Sequence, residues 1–593
     1  MMDLSIREIA EACGGKLILQ GKTAKTDIDV RNTLVSSVVI DSRLAEPQGV
    51  FIATVGERVD GHKFIPGTFA RGAVLAVTQK SPEQVEAEHG CKASEWGSYV
   101  LVEDTLQALK DIAEAYRKKL SVKIVGITGS VGKTSTKEFM AGVLSEKYHV
   151  LKTEGNFNNE IGVPLTLLRI RREHEAAVVE MGISDFGEMR RLSKMARPDI
   201  CVITNIGQSH LNNLIDRDGI LRAKSEIFDY MAEDGEICLN GEDDKLAALD
   251  EIKGHRPRFF GLGKNPAEQV SMVDIVGKGL WGSDAVLRMR RLPGGDEKPE
   301  ESETLRKRDA GTAGMHKSQG ESRTGEMPQD SLSVTDRTEQ EETVRCETCT
   351  GLPVHIPLPG EHMVLNAAAA ACVAGLLGLS QDEIAAGIAK VSAVSGRTNI
   401  LRLPRYTIID DCYNANPASV KAAVSLLAMA DTEKVAILGD MLNLGEKSSD
   451  YHAEIGRQAG MLGIDHILCV GGESRHMFRA AEEYVRAKTG DSHFADRDTS
   501  TETAEEHVKA EAGNSHCTDR DILAETAKEH GSAEAGISWF PDTPALMKAL
   551  AADPGGLVPE GSTVLVKASH DMGFGEVLKF LRERAEEEIF IKS

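Results

Sequence analysis

One stretch of the sequence, residues 123–136, constrains the fold more than any other. It begins with a run of apolar, mostly β-branched residues, continues through a glycine-rich turn, and leads into a segment that favours a helix. In this order of strand, loop and helix, the N–H groups of the loop and the helix N-terminus can bind phosphate. The stretch therefore predicts a phosphate-binding loop inside an α/β domain.

The spacing within this loop differs from the common pattern G-x-x-x-x-G-K-[ST], because Ile127 occupies the position of the first glycine. Glycines recur instead at every third position, and Lys133 and Thr134 follow the last of them. Lys133 is expected to reach the β and γ phosphates, and the Thr134 hydroxyl is expected to coordinate Mg²⁺. A glycine-rich turn with a surface lysine is the alternative, but the strand before and the helix after favour an ATP site.

The composition of the chain restricts the classes of function that it can have. With 593 residues the chain exceeds the size of a single core and predicts three or four domains. A hydrophobic content of 41% with 27% charged residues is typical of a soluble globular protein. The net charge of −23 argues against a nucleic-acid partner, whose phosphates require a basic surface.

Several features of the sequence favour a cytoplasmic protein. The N-terminal stretch has neither the basic n-region nor the apolar h-region of a signal peptide. The longest apolar run, residues 367–379, is too short to cross a bilayer, so no membrane span is predicted. Cysteines such as Cys201 and Cys469 occur singly along apolar runs, as expected in a reducing compartment.

Alternating strand-like and helix-like segments divide the chain into three α/β regions. Residues 1–120 predict a small N-terminal α/β domain. Residues 121–395 predict a central P-loop ATPase domain with a parallel sheet, and residues 396–593 predict a C-terminal Rossmann-like domain. Residues 294–345 lack aromatic residues and predict an insertion that is disordered or lies on the surface, and residues 487–536 predict a second polar insertion.

Polar residues stand where predicted strands of the central region end, which is the edge of a parallel sheet at which ligands bind. Glu180 ends one apolar run, and burying a carboxylate there costs free energy unless it is paired or binds a metal. His210 follows another run, and both residues are candidates for a Mg²⁺ site, with a structural role as the alternative. Asn156, Asn158 and Asn159 form an amide-rich cluster that predicts a loop presenting donors and acceptors.

Two further strand ends carry candidate substrate-binding residues. Ser42 and Arg43 follow a strand-like run and could hold a phosphate, although such residues also simply complete turns. The first strand of the C-terminal region ends in DDCYNANP, residues 410–417, where Asn-Pro stops the strand and opens a helix. The polar side chains of this segment predict a second ligand-binding face.

The content and order of these motifs resemble the Mur ligase family, the ATP-dependent amide-forming enzymes of peptidoglycan synthesis. The family's phosphate loop reads TGSVGKTS here, which accounts for the glycine spacing, and GNFNNEIGVP, EMG, NIGQSHL and AKSEI follow in the family's order. IDSR, GERVDGHKFI and VEDTLQAL resemble the family's UDP-substrate domain. DDCYNANPASV and ILGDM favour the branch that joins D-alanyl-D-alanine to UDP-N-acetylmuramoyl-tripeptide.

This resemblance implies a reaction, its cofactors and its partners. MgATP would phosphorylate the free carboxylate of UDP-N-acetylmuramoyl-tripeptide to give an acyl phosphate. The amine of D-alanyl-D-alanine would then attack, and the products would be an amide, ADP and phosphate. ATP and Mg²⁺ are the expected cofactors, each domain would serve one substrate, and the enzyme is expected to be a monomer.

The resemblance also assigns roles to individual residues. Lys224 matches the family lysine that carries a carbamate, an anion that would help to hold Mg²⁺, whereas a cationic Lys224 that binds phosphate is the alternative. The expected catalytic residues are Lys133, Lys224, His210 and Glu180, and the expected metal-site residues are Thr134, Glu180, His210 and Lys224. The expected nucleotide contacts are Gly129, Ser130, Val131, Gly132, Lys133, Thr134, Ser135, Asn366 and Arg397. The expected substrate contacts are Ser42, Arg43, Asn156, Asn158, Asn159, Asp411, Tyr413, Asn414 and Asn416.

The chain departs from the family pattern at a few positions. Ala568 and His570 stand where Gly and Arg are usual, Asn443 where Glu is common, and Met363 where Asn is usual.

Two other functions are compatible with parts of the sequence. A sibling ligase with another substrate would share the ATP motifs but not DDCYNANP, and a P-loop ATPase or binding module without ligase activity would have no use for the amide-rich loop.

Overall fold

The computed structural model describes residues 2–20, 27–56, 59–208, 211–290, 351–489 and 536–586. Within these residues the chain forms three α/β units, each built on its own mostly parallel sheet, which confirms the predicted fold class. The first predicted insertion lies outside the described residues, as does nearly all of the second. The predicted boundaries after residues 120 and 395 fall between elements of different sheets and stay predictions.

In its described residues, the N-terminal unit contains five short strands and five α-helices. In chain order these are α1 (Ile6–Ala12), β1 (Lys16–Ile18), α2 (Asp27–Arg31), β2 (Val38–Val39), β3 (Val50–Ile52), α3 (Ile65–Ala70), β4 (Leu75–Thr78), α4 (Pro82–His89), β5 (Tyr99–Leu101) and α5 (Thr105–Arg117). The sheet order is β1-β5-β4-β3-β2, and β1 is antiparallel to β5 while the other neighbours are parallel. Capping boxes at Ser5 and Ser81 determine where α1 and α4 begin.

The central unit is larger and contains the phosphate loop. Its elements are β6 (Lys123–Thr128), α6 (Lys133–Leu144), β7 (Val150–Lys152), α7 (Gly162–Leu168), β8 (Ala176–Glu180), α8 (Glu188–Ala196), β9 (Ile200–Ile203), α9 (Leu211–Leu214), α10 (Arg217–Ser225), β10 (Glu236–Asn240), α11 (Asp244–Ala247), β11 (Arg258–Gly261), β12 (Glu268–Gly277), β13 (Ser283–Met289), β14 (Leu352–Ile356), α12 (Glu361–Leu376) and α13 (Gln381–Ala389). The sheet order is β14-β13-β12-β11-β10-β9-β6-β8-β7, with β13 antiparallel to both of its neighbours and the other pairs parallel.

The C-terminal unit repeats the β/α alternation on a six-stranded sheet. Its elements are β15 (Asn399–Arg402), β16 (Thr407–Asp410), α14 (Pro417–Ala428), β17 (Lys434–Gly439), α15 (Ser448–Met461), β18 (His466–Val470), α16 (Ser474–Thr489), β19 (Ile537–Phe540), α17 (Thr543–Ala552), α18 (Pro554–Leu557), β20 (Thr563–Lys567) and α19 (Gly575–Glu586). The sheet order is β15-β16-β20-β17-β18-β19, and only β15 runs antiparallel to its neighbour among these described strands.

Helix α5 connects the first two units through a shared apolar core. Leu109 and Ile112 of this helix belong to one buried cluster together with residues of the N-terminal sheet and of α7 and α8. The hydroxyl of the buried Tyr116 donates to the carbonyl oxygen of Ile170 at 2.7 Å. On the opposite face of the central sheet, the alanine-rich helix α12 packs against α6, because small side chains allow close approach of two helices.

Candidate active site

The phosphate loop lies between β6 and α6 and is held by the end of β9. Gly129 has φ 152° and Gly132 has φ 82°, values that favour glycine. A Cβ at Gly129 would lie only 1.9 Å from the Thr204 hydroxyl oxygen, so a side chain is excluded there. The Val131 N–H donates to the Asn205 side chain at 2.9 Å, and the Val131 carbonyl accepts from the Thr204 hydroxyl at 2.6 Å. These contacts shape the loop before any ligand binds.

Two lysines converge on one carbonyl oxygen of this loop. The Lys133 Nζ donates to the Gly129 carbonyl at 2.8 Å, and the Lys224 Nζ donates to the same oxygen at 3.1 Å. Lys224 lies near the end of α10 and is only 2% exposed. Burial, and secondarily the charge of Lys133, lowers the pKa of Lys224 well below its usual value. Desolvation also lowers the pKa of Lys133, while the carboxylate of Glu180 opposes this shift.

Glu180 ends β8 beside the phosphate loop, and its side chain is almost completely buried. Its two carboxylate oxygens accept from the Thr134 hydroxyl at 2.9 and 3.1 Å, and one of them also accepts from the Asn158 amide at 2.8 Å. A hydroxyl, a carboxylate and an amide side chain meet here next to the phosphate loop. Hard oxygen ligands of this kind suit Mg²⁺, so the residues present fit this cofactor.

The structure describes three of the four residues predicted for the metal site. Thr134, Glu180 and Lys224 all lie around the phosphate loop, as the sequence predicts. His210 lies outside the described residues.

Lys137 is a charged residue of this site that sequence reasoning missed. Its side chain is 2% exposed, and its Nζ lies 3.2 Å from Glu138 and 3.8 Å from Glu180. A signal for it exists in the sequence, because Lys137 follows Lys133 by four residues and therefore shares a helix face with it.

The three asparagines of the amide-rich loop have different surroundings. Asn158 contacts Glu180, whereas the Asn159 side chain accepts from the N–H groups of Ile161 and Gly162 at the start of α7. Asn156 is exposed, and its carbonyl oxygen accepts from the Asn158 N–H at 2.7 Å. The predicted loop is present, but only Asn158 contacts the buried carboxylate.

The predicted nucleotide residues beyond the loop come from distant parts of the chain. Asn366 on α12 accepts from the Thr136 hydroxyl at 3.0 Å and lies next to Gly132. The Ser130 hydroxyl accepts from the Gly207 N–H at 2.9 Å, and Ser135 lies in the first turn of α6. Arg397, just before β15, stacks its guanidinium carbon 4.1 Å from the centre of the Tyr413 ring.

The segment after β16 brings further predicted residues together around Lys567. The buried Lys567 Nζ lies 2.6 Å from the Asp411 carboxylate and donates to the Asn414 carbonyl at 3.0 Å. Tyr413 is near His570, with ring centres 5.6 Å apart. Asn416 caps α14 by accepting from the Ser419 N–H at 2.9 Å. Lys567 ends β20 and is a second charged residue that sequence reasoning missed.

Ser42 and Arg43 occupy an exposed turn after β2 in the N-terminal unit. They begin a short 3-10 helix that is capped by the Asp41 side chain. The Arg43 guanidinium is 2.6 Å from the Asp41 carboxylate, and this contact lowers the pKa of Asp41. In the conformation described, Arg43 is therefore engaged in a local ion pair.

Comparison with known proteins gives the family. The model of the Mur ligase family catalytic domain matches residues 34–117, that of the Mur ligase middle domain residues 127–285, and that of the Mur ligase glutamate ligase domain residues 396–519. A relative from Bacillus subtilis (strain 168) is 30% identical over 476 residues, which cover 79% of this chain and 86% of the relative. The chain belongs to the Mur ligase family.

Other relatives of this Mur ligase agree with the assignment. The proteins from Bacillus subtilis and Escherichia coli (strain K12) are both named UDP-N-acetylmuramoyl-tripeptide–D-alanyl-D-alanine ligase. The Escherichia coli protein is 30% identical over 81% of this chain and 88% of its own length.

Solved structures have the same architecture. MurF from Acinetobacter baumannii superposes with a TM-score of 0.67 at 25% identity, and 98% of each chain is covered. MurF from Thermotoga maritima, solved with ADP, shares the fold with a TM-score of 0.63 at 23% identity, over 93% of this chain and 98% of the other. In the part of this Mur ligase that the structure describes, the helices are all too short or too polar to span a bilayer.

Proposed function

We propose that this Mur ligase joins D-alanyl-D-alanine to UDP-N-acetylmuramoyl-tripeptide and converts ATP to ADP and phosphate. Two relatives whose names state this activity align with this chain over 86% and 88% of their own length. The observation that carries the proposal is the convergence of Lys133, Lys224 and the Thr134–Glu180 pair at one phosphate loop. Cationic side chains that can stabilise phosphoryl charge therefore lie next to oxygen atoms that can bind a metal ion.

The first step is phosphoryl transfer to the substrate carboxylate. A carboxylate oxygen attacks the γ-phosphorus, the bond to the β–γ bridging oxygen breaks, and ADP leaves. Lys133 and the N–H groups of the phosphate loop bind the phosphate oxygens and stabilise the negative charge that develops on them. Bound Mg²⁺ neutralises phosphate charge at the same place.

The second step forms the amide. The amine nitrogen of the dipeptide attacks the acyl carbon, the C–O bond to phosphate breaks as the tetrahedral species collapses, and the proton lost by the nitrogen passes to the departing phosphate. No nucleophile of the enzyme is needed, so the chain acts by holding the reactants together and by excluding water.

We assign the residues of the site within the same proposal. Thr134, Glu180, His210 and a carbamate on Lys224 hold Mg²⁺, with Asn158 hydrogen-bonded to Glu180. The remaining nucleotide contacts come from the loop residues Gly129 to Ser135, from Asn366 and from Arg397. Ser42 and Arg43 bind the UDP phosphates, with Asn156 and Asn159 near the substrate. Asp411, Tyr413, Asn414 and Asn416 form the dipeptide side of the site. The enzyme acts as a monomer in the cytoplasm.

Phosphate release tests this function directly. The purified full chain is given MgATP with UDP-N-acetylmuramoyl-tripeptide, with D-alanyl-D-alanine, with both, or with a single amino acid in place of the dipeptide. Tripeptides ending in lysine and in diaminopimelate are both used, and Lys133→Ala is the inactive control because it removes a charge rather than core packing. We expect sustained phosphate release only with both peptide substrates, and a UDP-linked pentapeptide by mass spectrometry.

The same assay distinguishes the alternatives. Turnover with a single amino acid would identify a sibling ligase, and turnover without either peptide would identify a plain ATPase. With ¹⁸O in the tripeptide carboxylate, one labelled oxygen must appear in the released phosphate, since the C–O bond of the acyl phosphate breaks. Unlabelled phosphate would contradict the acyl-phosphate route.

A further inference from the structure

Lys137 is buried one helical turn beyond Lys133, and the reaction described above does not use it. A lysine side chain that is only 2% exposed is costly unless anionic partners surround its ammonium group. Its position on α6 places it under the phosphate loop, on the side of β8.

The Lys137 ammonium lies between two carboxylates of different character. Glu138 is 3.2 Å away, and it also pairs with Lys152 at the edge strand β7. Glu180 is 3.8 Å away and is 2% exposed at its side chain. Glu138 thus has a second lysine partner near the surface, whereas Glu180 is enclosed within the site.

The contacts of Glu180 show what the ammonium group adds. One carboxylate oxygen, Oε1, accepts from the Asn158 amide and the Thr134 hydroxyl. The other, Oε2, accepts from Thr134 and faces the Lys137 ammonium. Both oxygens therefore have a defined partner, and the plane of the carboxylate is held relative to the phosphate loop.

We propose that Lys137 is a positioning residue for the metal site, whose ammonium group holds the Glu180 carboxylate in the orientation that binds a divalent cation. This role presupposes that Glu180 binds Mg²⁺, as assigned under the proposed function. Residues that orient a metal ligand change metal affinity by about 10- to 100-fold when they are removed. A role in folding alone would change stability and leave the affinity of the folded protein for metal unaltered.

The test measures metal binding without turnover. Mn²⁺ replaces Mg²⁺ as a spectroscopic probe, and its binding to the complex of full chain and ADP is titrated by electron paramagnetic resonance, with no peptide substrate present. Lys137→Met keeps the length of the side chain and removes the charge. Lys152→Met is the matched control, because Lys152 pairs with the same Glu138 from a side chain that is 44% exposed. Melting temperatures are measured for every variant.

We expect Lys137→Met to weaken Mn²⁺ binding about tenfold or more, and Lys152→Met to stay within about twofold of the parent. Lys137→Arg retains the charge and is expected to bind Mn²⁺ within about threefold of the parent. Parent-like Mn²⁺ affinity in folded Lys137→Met would overturn the proposal. If Lys137→Met does not fold, the proposal is judged on Lys137→Arg. A tenfold loss of Mn²⁺ affinity in Lys137→Arg, at an unchanged melting temperature, would also overturn the proposal.

Glu180→Gln separates this proposal from the assignment on which it rests. Loss of Mn²⁺ binding in Glu180→Gln together with parent-like binding in Lys137→Met would reject only the role of Lys137. Unchanged Mn²⁺ binding in Glu180→Gln would reject Glu180 as a metal ligand, and the role of Lys137 with it.

Discussion

Lys224 and Lys133 donate to the same carbonyl oxygen. This arrangement disfavours a positive charge on both side chains at once, because the two groups are close together in a buried site. Burial and, secondarily, the neighbouring Lys133 lower the pKa of Lys224 well below its usual value, so its neutral amine is more accessible than that of a solvent-exposed lysine. The neutral amine is the form that adds to CO₂, giving a carbamate and a proton. The surroundings of Lys224 thus favour the proposed carbamate, whereas an ammonium group in the position of a metal ligand would repel Mg²⁺.

Substitution of Lys224 tests the carbamate. Lys224→Ala should fold and lose about a hundredfold or more of its ligase turnover, with partial recovery when a short-chain carboxylic acid is added. Lys224→Arg keeps the positive charge but cannot form a carbamate, so it should be equally inactive. With ¹³C-bicarbonate, a carbamate signal in the parent should be absent from both variants. Arg-variant turnover near that of the parent would show that a cation suffices.

His452 couples the stability of the C-terminal unit to pH. Its ring is fully buried, with Nε2 accepting from the Met441 N–H at 3.0 Å, so that Nδ1 donates to the Ser448 carbonyl at 2.8 Å. Burial lowers the pKa of His452, so the folded state disfavours protonation of the ring. The unfolded chain takes up a proton below pH ~6.5, so stability falls as the pH drops through that value.

His452→Gln should remove this pH dependence. Between pH 7 and pH 5 the parent should lose unfolding free energy through this one ring, by at most about 2 kcal/mol. The variant should lose correspondingly less across the same range, in denaturant titrations at each pH, while His149→Gln at an exposed histidine should follow the parent. Identical pH profiles for parent and His452→Gln would mean that the buried ring does not resist protonation.

At the scale of elements, the hairpin formed by β12 and β13 connects the central unit to the C-terminal unit. Leu280 at its tip is 8% exposed and belongs to an apolar cluster that otherwise consists of C-terminal residues, including those of α14. The neighbouring Trp281 ring stacks on Arg402 of β15, with the guanidinium carbon 3.3 Å from the ring centre. An element of one sheet thus completes the core of another.

Truncation of Leu280 should loosen this connection. Leu280→Ala should cost about 2 kcal/mol or more of unfolding free energy, the usual loss for a buried leucine. Val276→Ala, on the same hairpin but 61% exposed, should cost less than about 0.5 kcal/mol. Small-angle scattering should show a larger radius of gyration only for Leu280→Ala. Equal stability of the two variants would show that the hairpin tip makes no energetic contribution.

At the scale of the whole molecule, the 593-residue chain contains two long polar stretches, nearly all of which lie outside the residues that the structure describes. Strands β13 and β14 are antiparallel neighbours, with Leu287 opposite Leu352, so the described strands on either side of the first predicted insertion lie next to each other. A chain connecting two such strands can be shortened to a hairpin loop at little entropic cost.

Deletion of residues 296–343, with a short Gly/Ser linker in their place, should therefore leave the protein folded and active. The deleted stretch has no aromatic residue and few aliphatic ones, so it can bury little apolar area. The melting temperature should change by no more than about 4 °C and ligase turnover by less than about twofold. A much lower melting temperature or loss of turnover would show that the stretch packs on the body of the protein.

The order of the elements and the phosphate loop follow from the sequence alone. A glycine-rich turn between an apolar run and a helix-forming segment is a local property, and it identifies the loop around Gly129 without knowledge of any partner. The same holds for the cap at Asn416, since Asn-Pro opens a helix by itself. Alternation of such local patterns was sufficient to predict three α/β units.

Tertiary structure alone decided which polar side chains meet. Asn158 contacts Glu180 while the adjacent Asn159 caps a helix, although both belong to the same amide-rich run. Asn366 contacts Thr136 across 230 residues of chain, and Lys137 faces a carboxylate on another strand. Local sequence determines backbone conformation, but the partner of a buried charge depends on which distant segments the packing of helices and sheet brings beside it.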